Sequence, residues 1–193
     1  MKPVLATFAA LALLPLSAHA DGLSYNYWEL EYVDADVDGI SRNLEGFGVG
    51  GSVEITDEVF LYANYVQADT SVAGVNVTEK DTSAGFGYAW SLAENIDLIG
   101  RVGWVGAKVD TDGFGDYNDD AYALGIGARA RFIDQLEVEG GVQYADFSDL
   151  DSVTSVGIGA QWYFTPAVAL TVSGSYSNDA TTYGVGIRGT WGR

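Results

Sequence analysis

The chain contains no cysteine, and its one histidine, His19, falls within the first twenty residues. Without cysteine there is no disulfide framework and no thiolate to act as metal ligand or nucleophile. Beyond residue 20 there is no imidazole either, the side chain that most often moves protons near neutral pH. A Ser–Lys pair is the remaining standard route to a nucleophile. Lys80 and Lys108 sit beside acidic stretches that keep an ammonium charged, and so a poor base. Catalysis is therefore not expected. Basic residues are scarce as well: 9 Lys and Arg oppose 27 Asp and Glu, for a net charge of −18. A chain this acidic is repelled by phosphate backbones, which excludes nucleic acid as a partner. Proline is rare at 3, so little interrupts extended pairing. Finally, no stretch after the first twenty residues approaches the roughly 20 successive apolar residues that a membrane-spanning helix needs.

Those first twenty residues read as a targeting segment. Lys2 supplies the positive start, Val4 to Leu16 is almost wholly apolar, and Ala18-His19-Ala20 fits the small-x-small cleavage rule. Residues 1–20 are thus expected to form a signal peptide cleaved after Ala20, and residues 21–193 a single domain. Loss of Lys2 leaves eight basic residues against 27 acidic ones, a net of −19.

What the mature chain has in abundance is alternation. Ala84, Phe86, Tyr88 and Trp90 alternate with Gly85, Gly87 and Ala89; Tyr122, Leu124, Ile126, Ala128, Ala130 and Phe132 alternate with Ala123, Gly125, Gly127, Arg129 and Arg131. Val156, Ile158, Ala160, Trp162 and Phe164 alternate with Gly157, Gly159 and Gln161. Period two places the two sets on opposite faces of a strand. Ten such segments are expected, at about 24–36, 43–55, 59–69, 80–92, 96–109, 120–132, 136–147, 152–164, 168–177 and 181–191. Eight is the rival count, reached if 59–69 and 168–177 are not strands. Connections near Asp57, Glu94-Asn95, Asp134-Gln135 and Thr165-Pro166 are short. Those at Val37–Arg42, Thr70–Glu79, Asp110–Asp119, Ser148–Asp151 and Asn178–Ala180 are mostly longer and rich in Asp. Short turns on one side and longer loops on the other predict an all-β fold, an up-and-down antiparallel transmembrane β-barrel with both termini in the periplasm.

The charges support a membrane barrel over a soluble one. Arg101, Arg129, Arg131 and Arg188 fall on the face opposite the aromatics, as do Glu29, Glu31, Glu54, Asp97, Glu137 and Glu139. The other face carries Trp28, Trp90, Trp104, Trp162 and Trp191, residues that favour the membrane–water boundary. The charged set should therefore project into the lumen, where arginine and carboxylate pair. Glycines on that face give long side chains room. Such a lumen is either a structural plug or a narrow charge-gated pore, and the residues themselves do not choose.

One acidic stretch has a further reading. Asp34, Asp36 and Asp38, followed by Gly39 and Glu45, match the spacing of a calcium-binding loop. An EF-hand needs flanking helices, however, and strands flank this stretch, so weak Ca²⁺ binding is the most it implies. Asp110, Asp112, Asp116, Asp119 and Asp120 form a second acidic stretch of the same status. No other cofactor is expected.

By this pattern, from about Leu23 to Trp191, the chain resembles the small outer-membrane β-barrel family of Gram-negative bacteria, which includes OmpA-like and OmpX-like barrels. Ser24-Tyr25-Asn26-Tyr27 and Asp97-Leu98-Ile99-Gly100-Arg101-Val102 are similar to the quorum-signal-regulated small barrels of plant-associated bacteria, found in the outer membrane and its vesicles. The last strand resembles the signal read by the barrel-insertion machinery, through Gly186 and Trp191. Gly189 and the trailing Gly192-Arg193 depart from it. The resemblance implies an outer-membrane location, contact with lipid and lipopolysaccharide, assembly by that machinery, a monomer, and no enzymatic activity.

Overall fold

Alternation resolves into ten strands in the computed structural model, which describes residues 23–39, 42–72, 74–113, 115–178 and 180–191. The signal segment and its cleavage point lie outside the described residues. In chain order the strands are β1 (Tyr27–Val37), β2 (Leu44–Glu54), β3 (Val59–Val72), β4 (Val75–Ala93), β5 (Ile96–Thr111), β6 (Gly115–Ile133), β7 (Leu136–Phe147), β8 (Val153–Thr165), β9 (Val168–Ser177) and β10 (Ala180–Thr190). Each pairs antiparallel with its neighbour in sequence, and β1 closes on β10 from Tyr27↔Thr190 to Val37↔Ala180. The rival count of eight is excluded, because β3 and β9 are both full members of the ring.

Closure leaves no sheet edge along the barrel wall, the one arrangement in which strands can cross lipid with every backbone group paired. The outer surface suits that solvent. Every strand exposes large apolar side chains there, among them Leu30, Phe47, Leu61, Phe86, Val102, Leu124, Ile126, Val142, Ile158, Leu170 and Ile187. A soluble monomer rarely shows a continuous band of this kind. Three register shifts, at Ser91/Ala93, Arg131/Ile133 and Tyr163/Thr165, fall at the ends of β4, β6 and β8 next to the short turns, the ends expected to face the periplasm. Bulges of this sort commonly end pairing at the rim of a barrel.

The opposite rim departs from the sequence reading. Thr70–Glu79 and Asp110–Asp119, expected as loops, are largely strand: β3 pairs β4 up to Val72↔Val75, and β5 pairs β6 up to Thr111↔Gly115. Asp, Asn and Thr suggest turns in a sequence. Above the membrane, though, a hairpin needs no apolar face, and cross-strand ion pairs can hold it. Gly74 and Gly113 supply the left-handed backbone at these tips, with φ of 85° and 80°. Strands β4 and β6 reach 19 residues each, against the roughly 9–11 that cross a membrane. Strands β3 to β6 therefore stand up as a four-stranded wall on one side. Pairing of β2 with β3 stops at Glu45↔Asp69, and pairing of β6 with β7 begins at Ala121↔Phe147, so the wall is bare along both flanks.

Candidate functional site: the charged lumen

Strand parity delivers the charged set to one place. Register puts Glu29 opposite Arg188, Asp97 opposite Arg129, Arg129 opposite Glu139, and Arg131 opposite Glu137. Glycines flank the long side chains: Arg101 lies between Gly87 and Gly125, and Glu31 between Gly48 and Gly186. A methyl at Gly184 would overlap the Glu31 carboxylate, and one at Gly87 the Phe60 ring. These glycines are there for room.

Glu137 is the hub. One of its oxygens takes Arg129, and the other accepts from Arg131 Nε at 3.0 Å and Nη2 at 2.8 Å. The Tyr163 hydroxyl lies 3.4 Å from both Glu137 and Arg129. A second cluster crosses the barrel seam, where Arg188 donates to Glu29 from Nε at 2.7 Å and Nη2 at 2.5 Å. Arg188 also lies 4.0 Å from Glu139, which accepts from Gln161 at 2.8 Å. The Arg188 guanidinium sits over the Tyr27 ring at 4.8 Å, and that of Arg101 is 5.7 Å from the Tyr62 ring. Arg129, Arg188, Glu137 and Glu139 are at most 3% exposed, so their charges meet each other and not bulk water. A void of about 10 Å³ beside Arg101 and Glu139 has room for about one water molecule.

Three carboxylates of the expected set have other partners. Asp97 accepts from Ser91 at 2.8 Å, and Glu31 from Ser173 at 2.5 Å. Glu54 sits at the periplasmic rim, accepting from the Tyr25 amide at 2.6 Å and the Asn26 side chain at 2.8 Å, and so ties the segment before β1 to the end of β2. Aromatics inside the barrel were not foreseen. Tyr25 stacks on Phe60 at 4.0 Å, and Tyr27, Tyr62 and Tyr163 also point inward. Phe60 and Tyr62 share the phase of Asn64 on β3, opposite Leu61 and Tyr65, and that parity was the available signal.

The five tryptophans are on the outer surface, between 41% and 49% exposed. Trp28, Trp90, Trp162 and Trp191 lie toward the periplasmic ends of their strands, and Trp104, beside Tyr122, toward the outer end. In the calcium-like stretch, Asp34 and Asp36 belong to β1, and Asp38 follows it. Asp34 stands opposite Glu45, accepting from Asn43 at 2.7 Å while Glu45 accepts from Tyr32 at 2.9 Å. Among the described residues no three carboxylates are grouped to share a metal ion. The second acidic stretch is a brace. Lys80 and Lys108 both grip Asp110, Lys108 also meets Asp116 at 2.9 Å, and Asp119 accepts the Asp149 and Leu150 amides at 3.0 Å. Hydrogen bonds from Lys108 and Lys80 hold the Asp110 carboxyl down at about 2.

A closed antiparallel barrel, apolar outside and charged within, is a transmembrane barrel of the outer-membrane kind. The chain matches the outer membrane protein β-barrel domain over residues 6–164 and belongs to that family, which places it in the outer membrane. Among solved structures it is similar to the NanC porin, at 7% identity over 84% of this chain and all of that one, with a TM-score of 0.54. It is also similar to Ail of Yersinia pestis, at 15% identity over 87% of this chain and 100% of that one, with a TM-score of 0.40. The N-terminal barrel of Pseudomonas aeruginosa OprF is 14% identical over 86% of this chain and 98% of that one, with a TM-score of 0.41. Such identities speak for shared fold alone. No curated protein sequence is significantly similar to the chain. The finer likeness to quorum-signal-regulated barrels rests on the two short stretches quoted above.

Proposed function

We propose that this protein is a non-enzymatic outer-membrane barrel with a sealed lumen, whose role is structural or lies in contacts made at the cell surface. The observation that carries the reading is the Arg129–Glu137–Arg131 and Arg188–Glu29 network, buried across the periplasmic half of the lumen. Opening a water path there would separate charges that satisfy one another, leaving each short of a partner. The wall of β3 to β6, with Asp69, Asp110, Asp112, Asp116 and Asp120 on or near it, is the surface available to an outside partner. The mature protein is a monomer embedded in outer-membrane lipid and lipopolysaccharide. It begins after Ala20 and is inserted by the barrel-insertion machinery, with Trp191 in the recognised end.

Planar-bilayer recording of the purified barrel tests the seal, and no steady conductance steps are expected. Regular steps would establish the second reading, a narrow charge-gated channel for small solutes or ions, in keeping with the porin among its structural neighbours. N-terminal sequencing of the outer-membrane product should begin at Asp21.

A further inference from the structure

The lumen arginines all lie in its periplasmic half, where Arg101, Arg129, Arg131 and Arg188 face Glu29, Glu31, Asp97, Glu137 and Glu139. On β1, β3 and β5 the outer half is lined by Val33, Ala35, Val66, Ala68, Val105 and Ala107, and on β7 to β10 by the buried Gln143, Ser155, Ser177 and Thr182. Among the described residues no basic side chain faces the lumen there, since Lys80 and Lys108 are on the outer surface with Asp110. On the apolar side β4 projects Glu79 and Asp81, 2% and 8% exposed, while Asp119 on β6, also buried, is engaged by the Asp149 and Leu150 amides. Their cross-strand neighbours are Ala68 and Val66 on β3, and Val109 and Ala107 on β5. Neither side chain has a hydrogen-bond or ion-pair partner among the described residues, and Glu79 Oε1 and Asp81 Oδ2 are fully buried. The Thr70 hydroxyl, diagonal to Glu79 across the β3–β4 ladder, is buried and unpartnered too.

A buried polar group without a partner calls for one, and an ionised carboxylate in an apolar setting calls for a counter-charge. Here two acids stand two positions apart on one strand face, their Cα atoms about 7 Å apart, near enough for the carboxylates to repel each other or to share an ion. In the periplasmic half each acid has a partner in the protein, arginine for Glu29 and Glu137 and the hydroxyls of Ser91 and Ser173 for Asp97 and Glu31. The outer half has acids and no cation of its own, so the pair is either held neutral by protons or balanced by a cation from outside the chain. A single divalent ion cancels both at once, and carboxylate and hydroxyl oxygens are the hard donors that Ca²⁺ takes at about 2.3–2.6 Å.

We infer that Glu79 and Asp81, with the Thr70 hydroxyl, form a divalent-cation site of the Ca²⁺ type in the outer half of the lumen. It is separate from the Asp34–Glu45 stretch, whose carboxylates face outward and are engaged by Asn43 and Tyr32. It is independent of whether the lumen conducts, because the ion braces β4 from within whichever way the arginine layer behaves.

The test uses the full mature barrel refolded in detergent and stripped with EDTA. Ca²⁺ is titrated by calorimetry, and urea unfolding midpoints are measured with and without Ca²⁺, for wild type, E79Q/D81N and D34N/E45Q. Wild type should bind one Ca²⁺ that raises its midpoint. E79Q/D81N should lose that equivalent and the midpoint shift, while D34N/E45Q should keep both. A wild-type barrel indifferent to Ca²⁺, or an E79Q/D81N barrel that binds and responds like wild type, overturns the site. Should the double variant not refold, Glu79→Gln alone, which preserves side-chain size, carries the same comparison.

Discussion

In the periplasmic half of the lumen, Arg129 and Arg188 are buried against Glu137 and Glu29; in the outer half, the same faces of the same strands carry Val33, Ala35, Ala121, Phe147 and Ala180. One alternating pattern has thus been filled in two ways. Apolar side chains pack against whatever neighbour fits, and volume is their main constraint. Ion pairs demand a named partner, and an apolar replacement of the whole pair is often no less stable. The charged half therefore adds specificity of register more than stability, whereas losing one member of a pair is expensive.

Removing one charge is accordingly the largest expected effect. Arg129→Ala would leave Glu137 with Arg131 alone and remove the cation that stands opposite Asp97 and Glu139 in register, Glu139 keeping Arg188 at 4.0 Å. The expected loss is about 3–5 kcal/mol by urea titration in liposomes, because both partners are dry. Arg42→Ala, in an exposed loop, should move stability by no more than about 0.5 kcal/mol. Equal midpoint shifts for the two would mean that water already fills the periplasmic half.

Next comes the face that the lumen is compared against. Ile126, 59% exposed on the outer surface between Gly100 and Val142, should lie against lipid. Ile126→Arg is expected to cost about 2–4 kcal/mol, as charge near the bilayer midplane does. A harmless Ile126→Arg, together with a stabilising Arg129→Leu, would invert the two faces.

Within the outer half, Leu44 is 1% exposed in an aliphatic cluster with Val33, Val66 and Ala68. Leu44→Ala should cost about 2–3 kcal/mol, the lower part of the usual range, because small neighbours can close part of the cavity. An effect near zero would show that water enters this half and that the contrast between halves is overstated.

The smallest effect is on the wall above the membrane. Asp110 is held at about 2 by Lys108 and Lys80, while an unfolded aspartate titrates near ~3.9. A depressed folded pKa contributes stability that is fully present above the unfolded value and lost as pH falls through the folded one. The small advantage of wild type over D110N should therefore hold at neutral pH and fade between pH ~4 and ~2. Unfolding curves of the two proteins across that window measure it, and a constant difference would mean the ion pairs do not persist in solution.

Much of this was legible because period two is unforgiving. Trp28, Trp104 and Ile126 could only share a face that Glu29, Arg101 and Arg129 did not. Partner choice was harder to read. Whether Arg129 meets Glu137 or Asp97 depends on register, which is set by turn lengths and by the bulges at Arg131/Ile133 and its counterparts. Glu79 was hidden for a related reason: Thr70–Glu79 reads as a loop, so the phase that Asp81, Ser83 and Gly85 share on β4 was not carried upward to it. The inward stacking of Tyr25 escaped notice, and Glu54, expected among the paired lumen charges, instead ties Tyr25 and Asn26 at the rim, where the alternation stops.

The Glu29–Arg188 pair has a consequence for how the barrel comes to be made. Nine of its ten ladders join strands adjacent in the chain and can form as local hairpins, while the tenth must bring residue 27 to residue 190. That step closes by far the longest loop of the ten, so it should come late and set the rate. Until it happens, β1 and β10 each have a bare backbone edge and, with it, an unmatched charge. The seam thus carries its own proofreading: a barrel closed out of step by two residues would keep its faces yet bury Glu29 and Arg188 apart.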